Sequence, residues 1–288
     1  MDKSQKPIIE NIYAREILDS RGFPTVEVEV TASGCVGVSA VPSGASTGEF
    51  EALELRDNDN KRFNGKGVKK AVHNIINHFA PALIGEDASN QKLIDDILLS
   101  CDGTPNKSKY GANASLGISM ASAVVSANFF NKPLYKHLND FSNLMPVPMI
   151  NVLNGGMHAD KGSDLQEIML FPHGANTFSD SIRMGSEIFH QLKKELKKQG
   201  LGTTVGDEGG FAPSLKSNSH AIEMLLSAIE SSGYKVGLDV SLALDVAASS
   251  FYKDGVYSLK VDGSNLDSDG MIKSVSYTHL TLPTMLWV

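Results

Sequence analysis

The sequence predicts two folded parts: an α+β N-terminal domain, then an α/β sheet or barrel. Three observations lead to this prediction. Residues 25–30, TVEVEV, alternate strictly between apolar and charged side chains, which is typical of an antiparallel strand with one buried face. A proline-punctuated connection then separates several helical stretches from a second region. In that region short apolar runs and helices follow in the order strand, strand, helix, helix, strand, which favours a parallel sheet or a barrel.

The N-terminal part begins with a predicted three-stranded antiparallel meander. Its expected strands are Ile12–Leu18, Thr25–Val30 and Val36–Val41, and Ser33-Gly34 forms the turn before the third. A loop rich in Ser, Gly and Thr, PSGASTG, follows. Three helical stretches complete this part, and the last is rich in Ala and Ser and can therefore pack closely: Val68–His78, Gln91–Leu99 and Ala112–Phe130.

A domain boundary is expected near residue 140. The segment Asn139–Val147 reads as a connection, and Pro146 and Pro148 punctuate it. The predicted elements beyond it are strands Met149–Gly155 and Gln166–Pro172, helices Ser179–Gln199 and Ser219–Ser231, and strand Val240–Ser249. The first of these helices carries apolar side chains at helical spacing, namely Ile182, Phe189, Leu192 and Leu196.

Composition excludes several classes of protein. A hydrophobic content of 41% with 20% charged residues is ordinary for a globular chain rather than a disordered one. The net charge of −7 disfavours nonspecific binding to nucleic acid or to anionic membranes. Two distant cysteines, Cys35 and Cys101, make a disulfide framework unexpected, and no signal-peptide or membrane-spanning apolar run is present. The expected location is the cytoplasm.

Several polar residues lie where a barrel would place its active site, at the ends of strands. They are His158 after an NGG turn, Gln166 and Glu167 in the second strand, and Asp245 near the end of the third. Glu208 lies in a glycine-rich segment between two helices, TTVGDEGGFAP, from which it could reach the same rim. Each has an ordinary alternative: a surface histidine, a strand-edge charge, a helix cap or a surface turn. Together they indicate a site that contains several acids.

Motifs along most of the chain closely resemble enolase, the phosphopyruvate hydratase family. The match runs in order from about Ile9 to Lys273, and two of its blocks, SGASTG and VGDEGG, are diagnostic in combination. The other blocks are DSRGFPTVEVEV, NKSKYGANASLGIS, PVPMINVLNGGMHA, QEIMLFP, IRMGSEIFHQL and LALDVAASSFY. The resemblance implies a small α+β domain followed by a TIM-type α/β barrel of the order ββαα(βα)n.

The resemblance also implies an activity and roles for these residues. Enolases interconvert 2-phosphoglycerate with phosphoenolpyruvate and water, using two Mg²⁺ ions to stabilise an enolate-like intermediate. By resemblance Glu208 donates a proton to the leaving hydroxyl group, and Glu167 is its acidic partner. The remaining roles follow by the same resemblance: His158 and Gln166 contact substrate, Asp245 holds the first Mg²⁺, and Ser46 binds the second Mg²⁺ when its loop closes over substrate. A homodimer or higher homo-oligomer is implied for the complete protein, with no nucleic acid and no membrane span.

The sequence departs from the family pattern mainly at its end. Val246 and Ser250 stand where cysteine and glutamate are common, but neither position carries an implied role. The resemblance fades near Lys273, and Val275–Thr284 can be written in codons that look like a sequencing-library adaptor. About 145 residues follow the boundary, whereas a complete barrel has ~250. We therefore expect a C-terminally truncated enolase: residues 1–140 as N-terminal domain, 141–273 as an incomplete barrel, and 274–288 as a non-native tail.

Two alternatives remain open at this point. Another member of the enolase superfamily, such as a sugar-acid dehydratase, would share the barrel and proton abstraction beside a carboxylate, although the SGASTG and GDEGG motifs favour enolase proper. A non-catalytic role, as a surface-displayed binding protein or a scaffold, would place the chain on the cell surface or outside the cell as a second location.

Overall fold

The computed structural model describes residues 6–44, 47–48, 50–156, 162–206 and 208–276. The chain forms two compact units, Met1–Leu144 and Met145–Val288. Each unit has its own hydrophobic core. Within the described ranges, none of the helices is both long enough and apolar enough to cross a bilayer.

The first unit is built on an antiparallel sheet of order β1-β2-β3, so the predicted meander is confirmed. Its strands are β1 (Ile9–Leu18), β2 (Pro24–Ala32) and β3 (Cys35–Ala40). Val26, Val28 and Val30 are fully buried, as the alternation in β2 predicts. The turn between β2 and β3 uses two residues with positive φ, Ser33 and Gly34.

Helices cover one face of this sheet. Close packing of the Ala- and Ser-rich helix Ala112–Phe129 is confirmed at Gly37 of β3, where a Cβ atom would lie 2.3 Å from the backbone nitrogen of Val125. The predicted first helix is longer than expected, because a π-helical turn at Ile75–Phe79 carries it onward. The helices of this unit are α1 (Lys69–Asn74), α2 (Ala80–Leu83), α3 (Gln91–Asp102), α4 (Ala112–Phe129) and α5 (Leu134–Leu138).

The second unit contains a sheet whose strand directions differ from those expected. Its order is β4 (Ile150–Asn154), β5 (Glu167–Phe171), β6 (Ser241–Asp245), and both neighbouring pairs are antiparallel. The expectation of a parallel sheet is therefore wrong for these strands. Parallel neighbours need a crossover, usually a helix, but the described part of the connection from β4 to β5 contains none. Two successive helices separate β5 from β6. The first helix carries the chain back along the length of β5 and the second returns it to the end where β5 finished, so β6 begins there and runs antiparallel to β5.

These two helices are α6 (Phe178–Lys198) and α7 (Asn218–Ser231). Each begins with a side-chain cap: Thr177 Oγ1 accepts from Asp180 N at 3.1 Å, and Ser217 Oγ accepts from His220 N at 3.0 Å. The apolar stripe of α6 differs at two positions from the expected one, since Ile182 is 44% exposed and Phe189 is half-buried. Its buried apolar residues are Met184, Ile188, Leu192 and Leu196.

The chain beyond β6 forms elements that the sequence did not predict. The expected strand Val240–Ser249 ends at Asp245, because Ala247 has a positive φ and a 3₁₀ turn follows at Ala248–Ser250. A small antiparallel sheet and a helix complete the described chain: β7 (Tyr252–Lys253), β8 (Val256–Leu259), β9 (Ser264–Leu266) and α8 (Ser268–Ser276). Helix α8 includes the first three residues of the expected non-native tail, and residues 277–288 lie outside the described ranges.

Candidate active site

The antiparallel direction of β5 brings three strand ends to one edge of the sheet. Glu167, the first residue of β5, pairs in register with Asn154 at the end of β4 and with Asp245 at the end of β6. The sequence analysis expected Gln166 and Glu167 in the second strand to lie at the active-site rim, where the C-terminal ends of parallel barrel strands meet. They instead precede and begin β5, and they reach the same edge because this strand is reversed.

Gln166 connects this edge to Asp245. The residue is 6% exposed, and its Nε2 donates a hydrogen bond to Asp245 Oδ2 at 2.9 Å. Asp245 Oδ1 accepts from the backbone N–H of Ala247 at 3.1 Å. Gln166 Oε1 is buried and has no hydrogen-bond partner among the described residues. A buried amide oxygen without a hydrogen-bond donor costs free energy of folding. Such an oxygen is suited to accept a hydrogen bond from a ligand hydroxyl group.

The segment that leads into Gln166 and Glu167 is held by a buried polar cluster. Asp164 is 8% exposed, and it accepts hydrogen bonds from the backbone N–H of Lys260 at 2.8 Å and from Asn218 Nδ2 at 3.0 Å. Asn218 Oδ1 in turn accepts from Ser163 Oγ and from Asp164 N, each at 2.8 Å. These bonds fix the start of β5 to the N-terminus of α7 and to the β8–β9 connection.

Glu208 is carried by a tight turn that is fastened to β4. Gly206 N donates to Gly210 O at 2.8 Å, and Gly209, with φ +90, donates to Gly206 O at 3.1 Å. Phe211 then joins the edge of β4: its N–H donates to Val152 O at 2.9 Å, and its carbonyl accepts from Asn154 N at 2.8 Å. Gly210 packs so closely that a Cβ atom would lie 2.8 Å from Asn151 Oδ1. The absence of a side chain at Gly210 therefore allows the turn to approach β4 closely.

This turn brings Glu208 to Glu167, and the two carboxyl groups share a hydrogen bond. The hydrogen bond to Glu208, partial burial and the negative charges of Glu208 and Asp245 together raise the pKa of Glu167 to about 7. A like charge nearby opposes ionisation, so the pair retains a proton at pH values where an isolated glutamate would have lost it. Such a pair can donate a proton to a ligand near neutral pH.

Four residues singled out in the sequence therefore lie together: Gln166, Glu167, Glu208 and Asp245. His158, Ser46 and Asp207 lie outside the described residues. Sequence reasoning missed Asn154, although it stands between an apolar strand and a Gly-Gly pair, where the strand ends.

A metal site is incomplete in the described ranges. They contain no group of three or more His, Cys, Asp or Glu side chains placed to hold a metal ion. Asp245 offers one half-buried carboxylate at the shared edge, which suits a single oxygen ligand of Mg²⁺ but is too little for a protein-built site.

The raised pKa of Glu167 predicts a pH dependence of stability. The folded state binds this proton more tightly than the unfolded chain does. The resulting stabilisation is complete below pH 4.5 and is lost as the pH rises through about 7. Glu208→Gln removes the neighbouring charge, so the variant should lose less stability than the wild type between pH 5 and pH 8. We expect a difference of ~1–2 kcal/mol, after allowance for solvent screening.

Urea unfolding of the second unit at pH 5 and at pH 8 measures this difference in the free energy of unfolding. The matched control is Glu230→Gln, the same change at an exposed position of α7. Identical pH dependence in wild type and Glu208→Gln would show that the two carboxyl groups do not interact in solution.

Two family models match the chain. The model described as the enolase N-terminal domain matches residues 9–138. The model described as the enolase C-terminal TIM barrel domain matches residues 142–283, and so continues past Lys273, where the resemblance was expected to fade. The matches agree with an α+β first unit and with the order strand, strand, helix, helix, strand in the second. The chain belongs to the enolase family.

Proposed function

We propose that this protein acts as a glycolytic enolase, a hydro-lyase that interconverts 2-phosphoglycerate with phosphoenolpyruvate and water. The observation that carries the proposal is the hydrogen-bonded pair Glu167–Glu208 at the strand edge that also holds Asp245. Membership of the enolase family supports lyase chemistry and a substrate of the phosphoglycerate type.

The reaction needs a proton donor that remains protonated near neutral pH. Hydroxide is a poor leaving group, so an acid must protonate the substrate hydroxyl group as its bond to carbon breaks. In our proposal Glu208 donates this proton and Glu167 supplies the neighbouring acidic group. The pair's proton is retained because two adjacent carboxylates resist double ionisation. Gln166, whose buried Oε1 has no partner among the described residues, would accept a hydrogen bond from substrate, and His158 would also contact it.

Enolase-family domains are generally magnesium-dependent. We propose Asp245 as one ligand of the first of two ions and Ser46 as a ligand of the second. When bound, the ions would supply positive charge that stabilises the intermediate formed beside the substrate carboxylate. We further propose that the complete protein is a homodimer or higher homo-oligomer in the cytoplasm.

The function is tested by comparing the 288-residue chain with a complete-barrel protein, in which residues 1–273 are followed by the remaining strands and helices of an enolase barrel. Phosphoenolpyruvate formation is followed by its ultraviolet absorbance with Mg²⁺ and 2-phosphoglycerate. The complete-barrel protein should turn over. We expect no measurable turnover from the 288-residue chain, because Mg²⁺ needs several oxygen ligands and the described residues contain no group of three or more His, Cys, Asp or Glu side chains placed to hold a metal ion. A complete-barrel protein that is inactive on 2-phosphoglycerate but active on a sugar acid would contradict the proposal.

A further inference from the structure

Asn154 contacts both segments that carry the acidic pair. It is the last residue of β4 and is 1% exposed. Within the sheet it pairs in register with Glu167. On the other side of β4, its backbone N–H donates to Phe211 O at 2.8 Å, and its side-chain Nδ2 donates to Gly210 O at 2.7 Å. One buried residue thus joins the start of β5 to the turn that presents Glu208.

The side chain of Asn154 is itself held in place. Its Oδ1 accepts a hydrogen bond from Asn151 Nδ2 at 2.6 Å, so the amide plane is fixed at both ends. Gly210 O, which it contacts, also accepts the closing hydrogen bond of the turn from Gly206 N at 2.8 Å. Loss of the Asn154 amide would therefore remove a side-chain restraint on Gly210, the residue that accepts the closing bond of the turn, while the backbone pairing of Phe211 with β4 would remain.

We propose that Asn154 is a positioning residue that sets the separation of the Glu167 and Glu208 carboxyl groups through its hydrogen bond to Gly210. This inference rests on the proposed function, since it assigns Asn154 to the proton-donating step. An amide is suited to the role because it is uncharged and provides a donor for Gly210 and an acceptor for Asn151 at one position.

A first measurement uses the 288-residue chain. Asn154→Leu keeps a side chain of similar size but removes both side-chain hydrogen bonds. Amide hydrogen exchange at Gly206 and Gly209 should accelerate, by up to about tenfold for one lost hydrogen bond of ordinary strength. Ile188→Val, in the core of the same unit, is the control for general destabilisation. In this variant amide exchange in the turn should accelerate no more than amide exchange in the surrounding helices.

A second measurement separates positioning from general structural support. In the complete-barrel protein, Asn154→Leu should slow loss of the substrate hydroxyl group by ~10²-fold, the size of effect that a displacement of about 1 Å can produce. Exchange of the substrate α-proton should stay close to the wild-type rate, because that step does not use Glu208. Ile188→Val should change neither rate, and Asn151→Ala, which removes one support of Asn154, should give a weaker form of the same selective loss.

The outcomes distinguish this inference from the proposed function. If Glu208→Gln slows hydroxyl loss but Asn154→Leu and Asn151→Ala do not, the inference is wrong and the function stands. If both rates fall equally in the Asn154 and Asn151 variants, Asn154 has only a structural role and the inference is again wrong. If Glu208→Gln does not slow hydroxyl loss, the proposed role of the Glu167–Glu208 pair is wrong. The inference about Asn154, which rests on that role, is then wrong as well. Should Asn154→Leu not fold, Asn151→Ala alone decides between the first two outcomes.

Discussion

Glu208→Gln, in a complete-barrel protein that contains these residues, should slow the loss of hydroxide from 2-phosphoglycerate by at least the ~10²-fold typical of a general acid. Glutamine has nearly the same shape as glutamate but no proton that it can transfer. Exchange of the substrate α-proton with solvent should survive better, because a different group removes that proton. Isotope exchange and single-turnover measurements give the two rates separately.

The control for this prediction is Glu230→Gln, which makes the same chemical change on the exposed face of α7. It should alter neither rate. An equal loss of both rates in Glu208→Gln would mean that Glu208 supports the whole site instead of donating the proton, and the assignment would have to be abandoned.

Phe211→Ala should have the largest effect on stability. Its side chain is fully buried and stacks on Phe189, with ring centroids 4.3 Å apart and planes within 9°. Truncating a buried phenylalanine typically costs ~3–5 kcal/mol. We expect the thermal transition of the second unit to fall by ~10 °C or more, while the first unit, which has its own core, keeps its transition. The turn that carries Glu208 should also be less firmly fixed, since Phe211 joins this turn to β4 through backbone hydrogen bonds.

Calorimetry of the 288-residue chain, with hydrogen exchange to assign each transition to a unit, checks this expectation. Phe178→Ala is the matched control, because Phe178 is 40% exposed at the start of α6 and should cost much less. A Phe211→Ala protein as stable as the control would show that the segment after Glu208 is not held by its phenylalanine.

The parts of the fold that the sequence predicted are those governed by local pattern. Alternation in β2 identified a strand and its buried face, and apolar side chains at helical spacing identified α6. The direction of β5 was missed although the order strand, strand, helix, helix, strand was predicted correctly, because the apolar runs were interpreted without regard to the helix-free connection between the first two strands. The extension of α1 through a π-helical turn likewise left no signal in the periodicity.

In the candidate site, too, the sequence predicted what local motifs determine and missed what contacts between distant segments determine. The acids Glu167 and Glu208 could be named from motifs, but their hydrogen bond depends on pairing between distant segments. Asn154 was overlooked because an asparagine at a strand end usually reads as part of a turn. Its importance depends on Gly210 and Phe211, which only the folded chain brings beside β4.

The most direct test of the acidic pair is a pH titration of the Glu167 side-chain carboxyl group in the 288-residue chain. It is followed by ¹³C NMR in the absence of divalent cations, because a bound cation would favour the ionised form. We predict a midpoint near the pKa of about 7. In Glu208→Gln the midpoint should move down toward the ordinary value of 4.5, since the neighbouring charge is gone. A wild-type midpoint already near 4.5, or one that Glu208→Gln leaves unchanged, would contradict the pairing of these carboxyl groups and with it the proposed proton donor.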